Sequence, residues 1–401
     1  MFYTLQKTYP YFCKNLEMTF FSTSKTIGIL GGGQLGKMLL SITRKWDIKT
    51  KVLDNNPNAP SKLSCNEFHV GDLMDYQTVL NFAKNIDVLT IEIENVNIKA
   101  LEEIEKKGIK VYPQPNVLKI IQNKLKQKLF YKKHKIPTAI FKEFESKKSI
   151  KEEVIHGNLC FPFVWKSNSM GYDGYGVKIV KSNKDLEKLD DCSCFIEDLI
   201  EIKKELAVII CRNEKGEMNN FPVVEMIFNN DSNQVEYIIN PARINHKISK
   251  KAISIASKLS KIYNHIGIMA IELFLTTDDE ILINEVAPRP HNSGHFSIEM
   301  SYTSQFEQHI RAILGLPLGE TKNKTSGVMV NLVGEKKHYG PVEYCNIDQI
   351  MAIEGVTPHI YGKKETRPNR KMGHVTIVNE KIENAIKIAK TVKETIKVIS
   401  K

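Results

Sequence analysis

A chain of 401 residues is too long for one ordinary core and long enough for two or three domains. Hydrophobic residues at 42% and charged residues at 26% are ordinary globular usage and exclude a mainly disordered polymer. The net charge of +11 comes from scattered lysines with no basic run interleaved with aromatics, so no nucleic-acid partner is expected; the balance suits an enzyme handling anionic, phosphorylated small molecules.

Apolar stretches such as residues 206–211 and 266–271 fall far short of the roughly 20 residues that cross a bilayer, so no membrane partner is expected either. Seven cysteines without a CxxC pair predict reduced thiols in a cytoplasmic protein. Residues 1–24 carry five Phe and Tyr before residue 13, but Lys7, Pro10, Lys14 and Glu17 break any signal-like apolar core, so they are taken as an N-terminal extension.

In chain order, a β-rich run at 26–30 enters Gly31-Gly32-Gly33-Gln34-Leu35-Gly36 and a helical pattern through Lys45. Strands follow at 50–53, ending in Asp54, at 88–93, ending in Glu94, and at 109–112, with a helix closing at Gly108. This alternation predicts a doubly wound, Rossmann-like parallel sheet over 25–115, with ligands at the carboxyl ends of its strands. Pro113 and Pro115 bound a connection to a lysine-rich helix over 117–134. Strand runs near 163–165, 176–180 and 194–196 surround a glycine-rich loop and predict a small α+β lid domain over 116–205. The remainder, 206–401, is expected to form a C-terminal domain containing a helix over 249–265 and apolar strands around Glu272 and Glu285.

Gly31-x-Gly33-x-x-Gly36 satisfies a dinucleotide fingerprint, with Asp54 where a ribose-binding acid would stand, so a nicotinamide oxidoreductase is a rival on local grounds. A second loop, Ser169-Met170-Gly171-Tyr172-Asp173-Gly174-Tyr175-Gly176, follows Lys166; its glycines let a backbone close over phosphates whose charge the lysine offsets. Glu272 and Glu285 each interrupt an apolar strand across a turn, so hairpin pairing brings both carboxylates to one face, where magnesium is the natural counter-charge. Glu92 and Glu94 share a strand face by period two. His291 and His295 have the spacing of a helical zinc pair, but Pro290 and Gly294 oppose a helix there and favour substrate binding. A basic cluster over 363–371 could grip a phosphate.

Taken in this order, the motifs resemble the N5-carboxyaminoimidazole ribonucleotide synthetase family of ATP-grasp enzymes, over about residues 26–378. The resemblance rests on Asn284-Glu285-Val286-Ala287-Pro288-Arg289-Pro290-His291-Asn292-Ser293-Gly294-His295, on the first glycine turn, on Gly171-Tyr172-Asp173-Gly174, and on Arg367-Pro368-Asn369-Arg370-Lys371-Met372-Gly373-His374. It implies an ATP-grasp fold and ATP-dependent carboxylation of aminoimidazole ribonucleotide by bicarbonate, through carboxyphosphate, in a homodimer. Lys124, Lys128 and Lys166 would contact the nucleotide phosphates with Gly171 and Gly174. Glu197 and Asp198 would lie on the hinge beside adenine, and Glu205 would take the ribose hydroxyls. Glu272 and Glu285, with Asn284 beside them, would hold magnesium, or manganese in its place.

The ribonucleotide would sit between the first and last domains, its phosphate near Gly33, Gln34, Lys364, Arg367 and Arg370. Asp173, Arg289, His291 and Asn292 would position the amine and the carboxyl donor, with Glu92 or Glu94 touching the substrate. Two departures stand out: Tyr175 occupies a position where the family commonly has arginine, and Lys124 one where arginine is frequent, which keeps the charge but loses the planar fork. The nearest alternative is another ATP-grasp ligase, such as the formate-dependent glycinamide ribonucleotide transformylase or a biotin carboxylase.

Overall fold

The computed structural model describes residues 25–168, 176–229 and 231–401. The N-terminal layer is a five-stranded parallel sheet of β1 (Thr26–Leu30), β2 (Lys49–Asp54), β3 (Glu67–Val70), β4 (Val88–Ile91) and β5 (Lys110–Tyr112), in the order β3-β2-β1-β4-β5. The direction of winding reverses between β1 and β4, which makes the crevice at their carboxyl ends a topological switch point. The helix Gln34–Lys45 buries Leu35, Leu39 and Leu40 in the core beside β1 and carries Arg44 and Lys45 at the negative end of its dipole. β3 was not expected: its sequence Glu-Phe-His-Val lies on the sheet edge with three of four residues exposed, so no apolar alternation marks it. β4 ends at Ile91, so Glu92 and Glu94 lie beyond the strand and the period-two alignment does not apply to them.

The lid is an antiparallel sheet of β6 (Phe141–Phe144), β7 (Phe163–Ser167), β8 (Val177–Val180) and β9 (Cys194–Asp198), ordered β6-β9-β7-β8 around Phe163, Trp165 and Ile196. The helix expected over 117–134 is two helices, Pro115–Ile121 and Lys124–Lys133. Asn123 divides them, because its side chain accepts the Lys126 N–H and caps a new start. Val117, Ile121 and Tyr131 pack in the core of the large sheet, so this segment belongs with that sheet and not with the lid expected over 116–205.

The large sheet is built from β10 (Ile202–Arg212), β11 (Met218–Asn220), β12 (Val224–Asn229), β13 (Gln234–Asn240), β14 (Gly267–Thr276), β15 (Ile281–Ala287) and β16 (Gly327–Val333). After β16 come β17 (Gly340–Cys345), β18 (Val356–Ile360), β19 (Glu365–Thr366), β20 (Lys371–Val378) and β21 (Lys397–Ser400). The order β15-β14-β10-β12-β13-β16-β20-β18 shows that β16, β18 and β20 extend the same sheet through the β13–β16 pair; β17, β19 and β21 form a small side sheet. The helix His246–Tyr263 packs Ala252, Ala256 and Leu259 with Leu206 and Ile271 on one face, and Phe296, Met300 and Ala312 cover Ala207 and Ala270 on the other.

Candidate active site

The glycine turn comes first. Helix Gln34–Lys45 has Gly33 at its N-cap and no side chain of its own there, so its first N–H groups need outside acceptors. Glu92 supplies them from the end of β4: Oε1 accepts the Gly33 N–H at 2.6 Å and Oε2 the Gly36 N–H at 2.9 Å. Asp54 accepts the Gly32 N–H at 2.6 Å. The place where a dinucleotide pyrophosphate would lie is thus filled by the protein's own carboxylates, which sets the oxidoreductase reading aside. The Gly33 N–H is therefore committed to Glu92; Gln34, partly exposed beside it, makes no side-chain hydrogen bond among the described residues. Burial raises the Glu92 carboxyl, while the two backbone donors hold it down.

Glu94 does something different. Its Oε1 lies 2.8 Å from Arg289 Nε, so the switch-point crevice and the loop after β15 meet in one ion pair.

Across the large sheet, Glu272 on β14 stands directly opposite Glu285 on β15. The next pair is Leu273 with Ile283, so the register shifts by one and Asn284 is the extra residue of a β-bulge. The bulge lets Ile281 and Ile283 stay buried while Glu285 still faces Glu272. On β10, Ala207 pairs with Glu272 and Glu205 with Phe274, which places Glu205 diagonally from Glu272 on the same face. Three carboxylates from three adjacent strands therefore converge. Burial first, then the Glu285 and Glu205 charges, push the Glu272 carboxyl up to about 8, and burial pushes Glu205 up to about 7.

Among the described residues no cluster of three or more His, Cys, Asp or Glu could hold a metal unaided. The facing oxygen-only pair nevertheless fits magnesium, which takes one or two carboxylates and completes its shell from phosphates and water. Asn284 lies beside the pair with a partly exposed side chain.

On the lid side, Lys128 and Lys166 both close on Glu197: Lys166 Nζ is 2.6 Å from Oε2, and Lys128 pairs with Oε1 and also with the Thr138 hydroxyl. Lys128 and Glu197 are buried. The Glu197 side chain, one residue before the end of β9, therefore joins the two lysines; a buried carboxylate between them limits what would otherwise be a costly pair of like charges. Asp198 is exposed where β9 gives way to the short link into β10. Lys124 opens its helix with its backbone N–H on the Asn168 carbonyl, next to the second glycine loop. Gly171, Asp173, Gly174 and Tyr175 lie outside the described residues.

The loop after β15 is tied down at several points. His291 Nδ1 lies 2.9 Å from the Ser293 hydroxyl and accepts the Ser293 N–H at 3.4 Å, a pattern that assigns the ring proton to Nε2, and the His291 N–H goes to Gln305 Oε1 at 2.9 Å. Burial and the Arg289 and Lys371 charges hold this ring well below the usual imidazole range, so it is neutral, with Nδ1 3.9 Å from Glu272 Oε1. Asn292 exchanges two amide bonds with Asn331 on β16, at 2.8 and 2.9 Å. This pair anchors the loop to β16.

Behind the loop the His374 ring stacks on His359 at 4.4 Å and lies tilted against His295 at 4.8 Å, and His359 bonds Glu299 at 2.8 Å. Within the basic cluster, Lys364 reaches Asn58 Oδ1 at 3.1 Å, Arg370 donates to the Glu365 carbonyl at 2.7 Å, and Arg367 and Arg370 line a surface cavity of about 330 Å³ with the buried Thr366. Sequence reasoning missed Lys371, whose charge reaches Glu272, His291 and His295 although it stands in a motif quoted above. It also missed Asn331 and the histidine stack, for which no local pattern gives a signal.

Fold and site together define an ATP-grasp enzyme. Matched family models run along the chain in order: a ribonucleotide synthetase preATP-grasp domain over 24–122, an ATP-grasp domain over 129–306, and a phosphoribosylaminoimidazole carboxylase C-terminal domain over 327–388. The structure is similar to N5-carboxyaminoimidazole ribonucleotide synthetase from Thermotoga maritima, at 44% identity and a TM-score of 0.87, covering 94% of this chain and 100% of that one. It is also similar to the Aspergillus clavatus N5-carboxyaminoimidazole synthase in complex with ADP and 5-aminoimidazole ribonucleotide, at 32% and 0.84, covering 93% and 98%. The Bacillus subtilis N5-carboxyaminoimidazole ribonucleotide synthase is 36% identical over 88% of this chain and 91% of its own length. Phosphoribosylaminoimidazole carboxylases of yeasts and a plant, 37–39% identical, are longer: the chain spans 64–67% of their length. The chain belongs to the N5-carboxyaminoimidazole ribonucleotide synthetase family.

Proposed function

We propose that this chain joins bicarbonate to the exocyclic amine of 5-aminoimidazole ribonucleotide, cleaving ATP to ADP and phosphate and giving N5-carboxyaminoimidazole ribonucleotide for purine synthesis. The observation that carries the reading is the Arg289–Glu94 ion pair, 2.8 Å long, which sets the loop of Arg289 and His291 at the switch-point crevice while His291 stands beside the Glu272–Glu285 face. A nucleotide on that face and a ribonucleotide in that crevice would meet at this loop.

Chemically, a bicarbonate oxygen attacks the γ-phosphorus and ADP leaves; the amine nitrogen then attacks the carboxyl carbon, phosphate departs and the nitrogen loses a proton. Lys128 and Lys166 bind and orient the transferring phosphoryl group, exchanging their hold on Glu197 for phosphate oxygens. Lys124 adds charge at the glycine loop, and Glu205 accepts from the ribose hydroxyls. Glu272 and Glu285 would hold magnesium, which offsets charge between phosphate oxygens when bound. The neutral His291 presents an Nε2–H to an oxygen of the carboxyl donor, and Arg289 fixes that donor's charge. Gln34 and Glu94 face the ribonucleotide, with Lys364, Arg367 and Arg370 toward its phosphate.

No described helix is long and apolar enough to cross a membrane. A homodimer, which the family resemblance implies, and a cytoplasmic setting, read from cysteines without a CxxC pair, are part of the same proposal. The test is ¹³C-bicarbonate with ATP, magnesium and aminoimidazole ribonucleotide: label in an acid-labile carbamate on the ribonucleotide supports the reading, and label nowhere in the ribonucleotide overturns it.

A further inference from the structure

Two cross-domain contacts hold the loop after β18 against the N-terminal sheet. Lys37, in the first turn of the helix Gln34–Lys45, donates from Nζ to the Ile360 carbonyl at 2.9 Å. Lys364 reaches Asn58 Oδ1 at 3.1 Å, also on the N-terminal side. Between these struts Gly362 has φ +86°, and a Cβ there would stand 3.4 Å from Lys37 Nζ. The loop continues into the basic cluster, where Lys363 donates to the Lys371 carbonyl at 2.6 Å. Lys37 is partly buried by the crossing, and burial lowers its pKa. No step of the reaction uses it.

We propose that Lys37 is a positioning residue for the ribonucleotide: its bond to the Ile360 carbonyl fixes the 361–364 loop over the Gly33–Gln34 turn and so sets the gap that receives the substrate's phosphate. This rests on the reading of that cleft as the ribonucleotide site. The ammonium-to-carbonyl bond is charge-assisted and so strong enough to hold a loop. It joins the two walls of the cleft directly, one end three residues past Gln34 and the other four residues before Lys364. The loop passes here through a glycine because a side chain at that φ is strained, and a Cβ would lie in contact with the ammonium, so relief of the strain moves the loop beside Lys37.

The experiment measures KM for aminoimidazole ribonucleotide, kcat and ATP affinity in the full chain for Lys37→Met, Lys37→Arg, Gly362→Ala and the Lys37→Met/Gly362→Ala double variant. Loss of the strut in Lys37→Met is expected to raise this KM about tenfold, as a sub-ångström misplacement would, with ATP affinity unchanged. Gly362→Ala, which removes no charge, is expected to raise it similarly, the double variant to add little, and Lys37→Arg to restore most of it. The inhibition constant of ribose 5-phosphate, used as a competitor, should rise in step. An unchanged KM in Lys37→Met overturns the inference, as does a normal KM in Gly362→Ala, which would mean that the ammonium meets the ligand itself. Wild-type protein without ribonucleotide-stimulated turnover would instead sink the functional reading, so the two failures are distinct.

Discussion

Glu285 and Lys128 carry most of the residue-scale argument. Glu285 faces Glu272 across a bulged pair, so Glu285→Gln should lower ATP turnover roughly 10²-fold or more while circular dichroism shows an unchanged fold; normal turnover would remove Glu285 from the metal site. For Lys128, burial pulls the ammonium down to about 8 against the raising influence of Glu197. The charged form grips phosphate, so ATP affinity is expected to fall above about pH 8, by up to tenfold per pH unit. Lys128→Arg, which stays charged, should flatten that profile; a fall at the same pH in the variant would assign the titration elsewhere. Stability runs the other way. The folded pKa lies below the unfolded value of about 10.4, so the unfolded chain binds more protons between the two. The cost of burying this charge is full below pH 8 and is relieved as pH rises toward about 10.4.

Elements here are fixed by polar side chains at their ends as much as by apolar faces. Glu92 completes the N-terminus of the helix Gln34–Lys45, Asn123 splits a run of helical residues into two, and the Asn292–Asn331 amide pair binds the loop after β15 to β16. Asn331→Leu would leave the buried Asn292 amide without its partner. A loss of about 1–3 kcal/mol is expected, seen as a lower urea midpoint, together with a raised ribonucleotide KM because Arg289 and His291 ride on the same loop. An unchanged midpoint would mean that the loop is held elsewhere. The elements themselves were largely legible: the parallel strands before and after the glycine turn, the Glu272–Glu285 hairpin and the loop over 287–295 all show in local patterning. What escaped is long-range. Nothing near residue 92 says that its carboxylate will fill the turn at 33–36, and nothing near 197 says that it will join lysines 31 and 69 residues upstream.

At the scale of the whole molecule, one sheet runs from the nucleotide face through β13 and β16 into the C-terminal strands, so the site is assembled on a continuous platform with the parallel domain laid against its loop. Cross-domain contacts made by single side chains, such as Lys37 with Ile360 and Thr90 with His309, complete it. They leave no periodic trace in the sequence, and for that reason the roles of individual residues were less legible than the chemistry. The direct test of the central claim is phosphate release from ATP with magnesium and bicarbonate, with and without aminoimidazole ribonucleotide. The account predicts strong stimulation by the ribonucleotide; a folded, ATP-binding protein whose phosphate release the ribonucleotide leaves unchanged would contradict it.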